Sequence, residues 1–337
     1  MKNSRSSNIE LLRIFSMLLI IAHHYACHGG VYYNVFDGMN GLIASFLIIG
    51  GKLGVSLFIM ITGYFLAERD FKWSRLLKLE GEVLFYSIIG FFLGCFIFHT
   101  ETVSVTSLKN NLLPSLMNQP QQYWFIPCYF AVLIFSPFIN AGIQKLSLKE
   151  YRILLGVMIL LGTFVPMILN SNTWFDGSFF IFVLMYLIGA YIKRDVEGMA
   201  RMHSSLCLVG SVILYCAIAI LVFKFHTPDS NKDGLWGMNS FFIIVLSILI
   251  FTFFVKLQMG SISWINTIAS TTIGIYLIHD NCYVRDILWT KLLSTERFYE
   301  SPYLVLHAVI CIVIVFIGAC GIDMLRKLII KGAKCEK

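Results

Sequence analysis

Near its start the chain reads LLRIFSMLLIIAHHYACHGG, an apolar run with an arginine at one end and three histidines, two of them adjacent, toward the other. On an α-helix, the eleven steps from Arg13 to His24 amount to about three turns plus 20°, so both side chains share a face about 16 Å apart along the axis. Glu10 lies on the same side as Arg13, and His28 follows His24 at the i+4 position. His23 points about 100° away from His24, which makes it a structural or interfacial residue. Ionisable groups at membrane depth are costly and normally face a bundle interior or a wet cavity. A neutral imidazole there can take a proton from a hydroxyl. A guanidinium can hold phosphate through two parallel hydrogen bonds. Taken alone, Arg13 reads equally well as a side chain reaching back to the headgroups, and His24 as a hydrogen-bonded packing residue. His24 and His28 have the spacing of a metal pair, but no third ligand follows nearby in the chain, so no metal is expected.

A helix must carry these groups through lipid, and the composition agrees. Of 337 residues, 58% are hydrophobic and only 13% charged, about half the charged share of a soluble domain. That excludes one water-soluble core and leaves an integral membrane protein. Nine cysteines are scattered singly, mostly in apolar segments, and read as small buried residues. Hydropathy predicts an all-α polytopic protein with ten spans, near 9–28, 43–66, 76–98, 123–143, 152–170, 174–192, 204–224, 237–255, 263–284 and 304–325. The first is too long and too polar at its outer end for a cleaved signal. A single membrane-embedded domain over 1–337 is expected, with no separate soluble domain.

Ten spans put both termini on one side. With both in the cytoplasm, 19 of the 26 lysines and arginines lie inside, including Arg69, Lys72, Arg75 and Lys78 after the second span. The remaining seven fall outside, which supports this orientation. The net charge of +7 then belongs to a cytoplasmic surface suited to anionic lipid or a phosphorylated ligand, with no sign of nucleic acid.

The arginine, ten intervening residues and histidine resemble the signature of the acyltransferase family 3 membrane proteins. Further stretches are similar to that family in order and spacing. GVSLFIMITGYFLA resembles its second-helix stretch, with Thr62-Gly63-Tyr64 where Ser-Gly-Phe is usual. WSRLLKLE supplies Arg75 and Lys78 where two arginines are usual. QYWFIPCYFAVLIFSPFI resembles the tryptophan-containing entry to the fourth helix, and TTIGIYLIHDN the late helix ending in Tyr-Leu-x-His.

The resemblance implies a ten-helix enzyme that transfers an acyl group from a cytoplasmic acyl-CoA, acetyl-CoA above all, to a hydroxyl of a cell-surface carbohydrate or lipid-linked acceptor. It implies a multi-pass protein of a bacterial cytoplasmic membrane, with acyl-CoA as co-substrate and no permanently bound cofactor. His24 becomes the catalytic base or acyl carrier, and Arg13, Arg75 and Lys78 the donor-binding cations, Lys78 lacking the planar fork of arginine. His279, Trp124 and Glu10 become supporting or acceptor-site residues. By position alone, Trp124 is an interfacial anchor and the 69–78 cluster an ordinary positive-inside loop. Two other classes fit ten apolar helices with buried charge: a secondary transporter, and a membrane module that binds without chemistry. The first normally shows two related halves, which the chain lacks; intact Arg13 and His24 argue against the second.

Overall fold

The computed structural model describes residues 7–112, 123–169, 173, 175, 177–226 and 233–335. The charges Lys2, Arg5 and Lys337, and Asn170 and Trp174 at the edges of two predicted spans, lie outside them. All regular structure among the described residues is helical.

Among the described residues, seven helices are long and apolar enough to cross a bilayer. They are α1 (Ser7–Cys27, continued to Asn34 by a short turn of helix), α2 (Gly38–Leu66), α3 (Trp73–Phe96), α4 (Phe125–Gln144), α5 (Leu148–Leu169), α7 (Ser204–Phe225) and α11 (Leu304–Cys335). Three predicted spans fall short of that length. Segment 174–192 is the 17-residue α6 (Ser178–Arg194), and 237–255 is the 16-residue α8 (Phe241–Lys256). Segment 263–284 is two pieces, α9 (Ser263–Ala269) and α10 (Thr272–His279).

The break between α9 and α10 has a local cause. Ser270, Thr271 and Thr272 each turn a hydroxyl onto a carbonyl three residues back, at 2.7 to 2.9 Å. Such bonds compete with the helical ladder. The carbonyl of Ser270 is taken up by Lys327 Nζ at 2.6 Å, so the interruption leaves no orphan there.

Burial identifies the hub. In α1 and α2, 72% of the spanning window is buried, against at most 33% in the other five long helices. The two run antiparallel in close contact, because α2 offers glycine where α1 offers backbone. A Cβ on Gly54 would stand 2.6 Å from the Ser16 carbonyl, and one on Gly50 2.5 Å from that of Leu19. On its other side α2 meets α6 through a reciprocal pair: a Cβ on Gly63 would fall 2.0 Å from the Tyr186 carbonyl, and one on Gly189 2.0 Å from that of Met60. Between helices in lipid, close approach of backbones replaces the missing hydrophobic drive.

Polar links hold one end of the bundle together around the start of α1. Asn8 Nδ2 donates to Phe254 O at 2.9 Å, and the Ile262 amide donates to Ser7 Oγ at 2.7 Å. At the same end, Asn140 reaches Leu66 O at 2.8 Å, and Arg194 reaches Ile143 O at 2.7 Å. Buried ion pairs tie α3 to α11. Arg326 bridges Glu82 and Asp323 at 2.8 Å each, Lys327 pairs with Asp323 at 2.8 Å, and Tyr86 donates to Asp323 at 2.8 Å. The Asp323 carboxylate rests against Gly274, where a Cβ would meet it at 2.3 Å. The cluster therefore also seats α10.

The opposite end is closed by the segment 287–303. Thr295 and Tyr299 both donate to Gly29 O at 2.8 Å, and Asn40 donates to Tyr299 O and Ser301 O at 2.9 Å.

Gly189→Ala should lower the melting temperature of the detergent-solubilised protein, corresponding to about 1–3 kcal/mol of overpacking. Gly142→Ala, on an exposed face where a Cβ meets nothing within 4 Å, should leave it unchanged or slightly raised. Equal melting of the two variants would show that α2 and α6 do not touch through these glycines.

Candidate functional site

His24 sits in the last turn of α1, 5% exposed, and His279 is the final residue of α10 and fully buried. Their rings meet: His24 Nδ1 lies 2.9 Å from His279 Nε2. The proton positions follow from what each nitrogen can do. His279 Nδ1 lies 2.6 Å from the Ile275 carbonyl, which only accepts, so that nitrogen carries the hydrogen. His279 Nε2 is then the acceptor, and His24 Nδ1–H donates to it. Neutral His24 therefore presents its Nε2 lone pair away from His279.

That lone pair faces Asp280, whose Oδ1 stands 3.8 Å from His24 Nε2 and 3.2 Å from His28 Nε2. Arg285 approaches the same oxygen at 3.9 Å, and the Tyr276 hydroxyl faces the carboxylate from one turn below. Asp280 is 2% exposed, and its Oδ1 makes no hydrogen bond. One nitrogen each from His24 and His28 and a carboxylate oxygen of Asp280 lie within 4.8 Å of one another. The third ligand that local spacing fails to supply thus arrives from more than 250 positions along the chain, because α10 ends beside α1.

Arg13 is about 16 Å from His24 along the same helix, as the spacing predicts. It pairs with Glu10 at 3.2 Å and lies over the Phe58 ring at 5.9 Å. Glu10, 4% exposed, is thus a partner of Arg13 and stands about 21 Å along the axis from His24, away from its end of the helix. Between the two ends, on the face that carries Arg13 and His24, Met17 and Ile20 line a narrow apolar slot. Val55, Phe58, Phe125, Ile273 and Tyr276 complete it. Phe58 puts one end of the slot under the Arg13 guanidinium, and Tyr276 puts the other one turn before His279.

The cationic cluster is only partly gathered. Arg69, Lys72 and Arg75 surround a pocket with Leu66, Phe71, Leu76, Leu133 and Ser136. Tyr129, one turn from Leu133 on α4, bonds Thr62 at 3.2 Å. Lys78 is exposed and does not line it; its charge acts instead on Glu82.

Trp124 is half-buried with the Lys52 ammonium 4.1 Å from its ring, so it faces the bundle near the site and not only an interface. Its neighbour Tyr123 donates to Leu277 O at 2.7 Å and accepts from Asn281 at 2.8 Å, which fixes α4 against α10. His23 is structural: its Nδ1 is 2.6 Å from Ile48 O and its ring covers Gly51. Lys52 escaped the sequence reading although its signal was there, a lone lysine within the apolar run LIIGGKLGVSL. Asp280 and Arg285 carried no such signal, since they follow a helix end.

No curated protein and no solved structure shows a significant match to the chain. A family model described as an acyltransferase domain, that of acyltransferase family 3, matches residues 6–324. With an apolar, multi-helix bundle that carries an arginine and a buried histidine on one helix face, and with that match over nearly its whole length, the chain belongs to the acyltransferase family 3 membrane proteins.

Proposed function

We propose that this membrane acyltransferase moves an acetyl group from cytoplasmic acetyl-CoA to a hydroxyl of a cell-surface glycan or a lipid-linked sugar on the other side. The observation that carries the reading is the oriented His24 Nε2 lone pair on the helix face that also carries Arg13, with a small apolar slot between the two lined by Met17, Ile20, Phe58 and Tyr276. Arg13, with Arg75, Arg69 and Lys72 around the neighbouring pocket, holds the phosphates of the donor. The slot marks the path along which the narrow pantetheine arm reaches toward His24. Lys78 has no place in that pocket and is left to the surface.

In the reaction, the acceptor hydroxyl gives its proton to His24 Nε2 as its oxygen attacks the thioester carbonyl. The tetrahedral intermediate collapses, the C–S bond breaks, and the coenzyme A sulfur takes the proton back. His279 is a positioning residue: it holds His24 in the tautomer with Nε2 unprotonated. The imidazolium formed in between is stabilised by Asp280 and by the negative end of α1, whose last turn carries His24. Trp124 beside Lys52 offers an aromatic face to the acceptor.

Orientation follows from the excess of lysine and arginine at the Arg13 end, with both termini inside. Ten crossings are supported by the polar links that put the ends of α2, α4, α6 and α8 and the start of α9 beside the start of α1. Each of α6, α8 and the α9–α10 pair then crosses once.

His24→Ala should abolish transfer to surface glycans while the protein still accumulates. His279→Ala, which frees Nδ1 of His24, should lower kcat roughly 100-fold or more with little change in KM for the donor. His23→Ala should cost mainly stability. Activity of His24→Ala equal to wild type in a glycan-acetylation assay would overturn the mechanism.

Arg13→Ala should raise the KM for acetyl-CoA, Arg13→Lys should restore part of it, and Arg75→Ala should act more weakly. Unchanged donor KM in all three would leave Arg13 as a membrane anchor paired with Glu10.

Cysteine labelling on a background stripped of native cysteines tests the sidedness. A probe at Ser74 should react only after the membrane is opened, and one at Asn34 in intact cells. Labelling of Ser74 from outside would invert the topology and remove the route across the membrane.

A further inference from the structure

The approach of His24 Nε2 to Asp280 Oδ1 is chemically unfinished. The bond to His279 leaves a lone pair on His24 Nε2, and 3.8 Å away is a buried carboxylate oxygen with no hydrogen bond. Two such atoms repel, and the Arg285 guanidinium stays 3.9 Å from that oxygen, beyond hydrogen-bond reach, so neither atom has the bonded partner that a cation held by both would supply. His28 Nε2 joins them at 3.2 Å from the same oxygen, one helical turn beyond His24. Two histidines at i and i+4 on one helix face, with a carboxylate from a second element, form the donor set of a divalent transition metal.

We propose that His24, His28 and Asp280 bind an ion of the zinc class, and that this ion reversibly inhibits the enzyme. In a tetrahedral zinc site the ligand atoms are about 3.3 Å apart, given metal bonds of about 2.0–2.1 Å. The observed 3.2 and 3.8 Å bracket that value, and a small rotation of His28 closes the third edge, which is at most 4.8 Å. The outer shell is in place, since a ligating histidine normally donates its other nitrogen to an acceptor, as His24 Nδ1 does to His279. Imidazole with a single carboxylate selects zinc, cobalt, nickel or copper over magnesium and calcium. The His28 side chain, 22% exposed, provides the entry path. Inhibition, unlike binding, rests on the proposed role of His24: the ion takes the lone pair that the reaction needs.

Cobalt and zinc titrations of the purified, chelator-stripped full-length protein in detergent test this. One equivalent of cobalt should bind with the visible absorption of a low-coordinate site, and zinc should displace it. His28→Ala and Asp280→Asn should each weaken binding by at least about tenfold, while His203→Ala, a histidine outside the site, should not. In the transfer assay, zinc should inhibit wild type, chelator should reverse it, and His28→Ala should need at least about tenfold more zinc. Absence of binding, or binding unaffected by either site variant, overturns the site. Zinc that binds there without slowing transfer, or that restores activity to stripped enzyme, overturns its inhibitory role; the first result would also remove His24 as the base. Loss of activity in His24→Ala with no zinc binding by wild type would sink the metal site alone.

Discussion

A histidine ring buried in an apolar bundle has two nitrogens to satisfy, one of which must donate and one accept while the ring is neutral. The contact of His24 Nδ1 with His279 Nε2 settles that problem for His279, whose Nδ1 donates to Ile275 O, and fixes the tautomer of His24 with its Nε2 left open; it is the constraint around which the protein is arranged. It requires two helix ends to meet inside the bundle. α10 must therefore stop where it does, which demands a helix too short to cross on its own and a break behind it. A continuous helix over 263–284 would carry residue 279 through its interior and leave Asp280 and Asn281 without the loop geometry that turns them toward α1 and Tyr123.

The break has its own cost, and the far end of the bundle offsets it. Lys327 takes the freed Ser270 carbonyl, and Asp323 fills the space over Gly274. Asp323 is itself held by Arg326, Lys327 and Tyr86. A fully buried carboxylate in such a setting is tolerable only when paired this completely. The ion cluster at one end and the histidine pair at the other are thus joined by eight residues of helix, about 12 Å.

The same economy of buried charge shapes α1. Glu10 sits against Arg13 near one end; near the other, Asp280 serves His24 and His28. The middle is apolar on the shared face, and α2 can press close because its glycines leave room for the α1 backbone. A polar stripe with an oily middle separates a cation-rich end from a histidine-rich end.

Read alone, the chain determines that it lives in a membrane, that Arg13 and His24 share a helix face about 16 Å apart, and which family it belongs to. These depend on composition, on the 3.6-residue period and on local spacing, which a linear sequence carries in full. The sequence also flags His279 through its motif, but not that it bonds His24. Only the folded chain decides that Asp280 completes a three-ligand cluster, that Lys52 stands over Trp124, and that Lys78 leaves the cationic pocket. It alone decides that the ninth predicted span is broken. These turn on which helices and helix ends become neighbours, in contacts that for the histidine cluster span more than 250 positions. Such contacts are set by glycine-sized gaps and by the pairing of buried polar groups, neither of which has a signature in hydropathy.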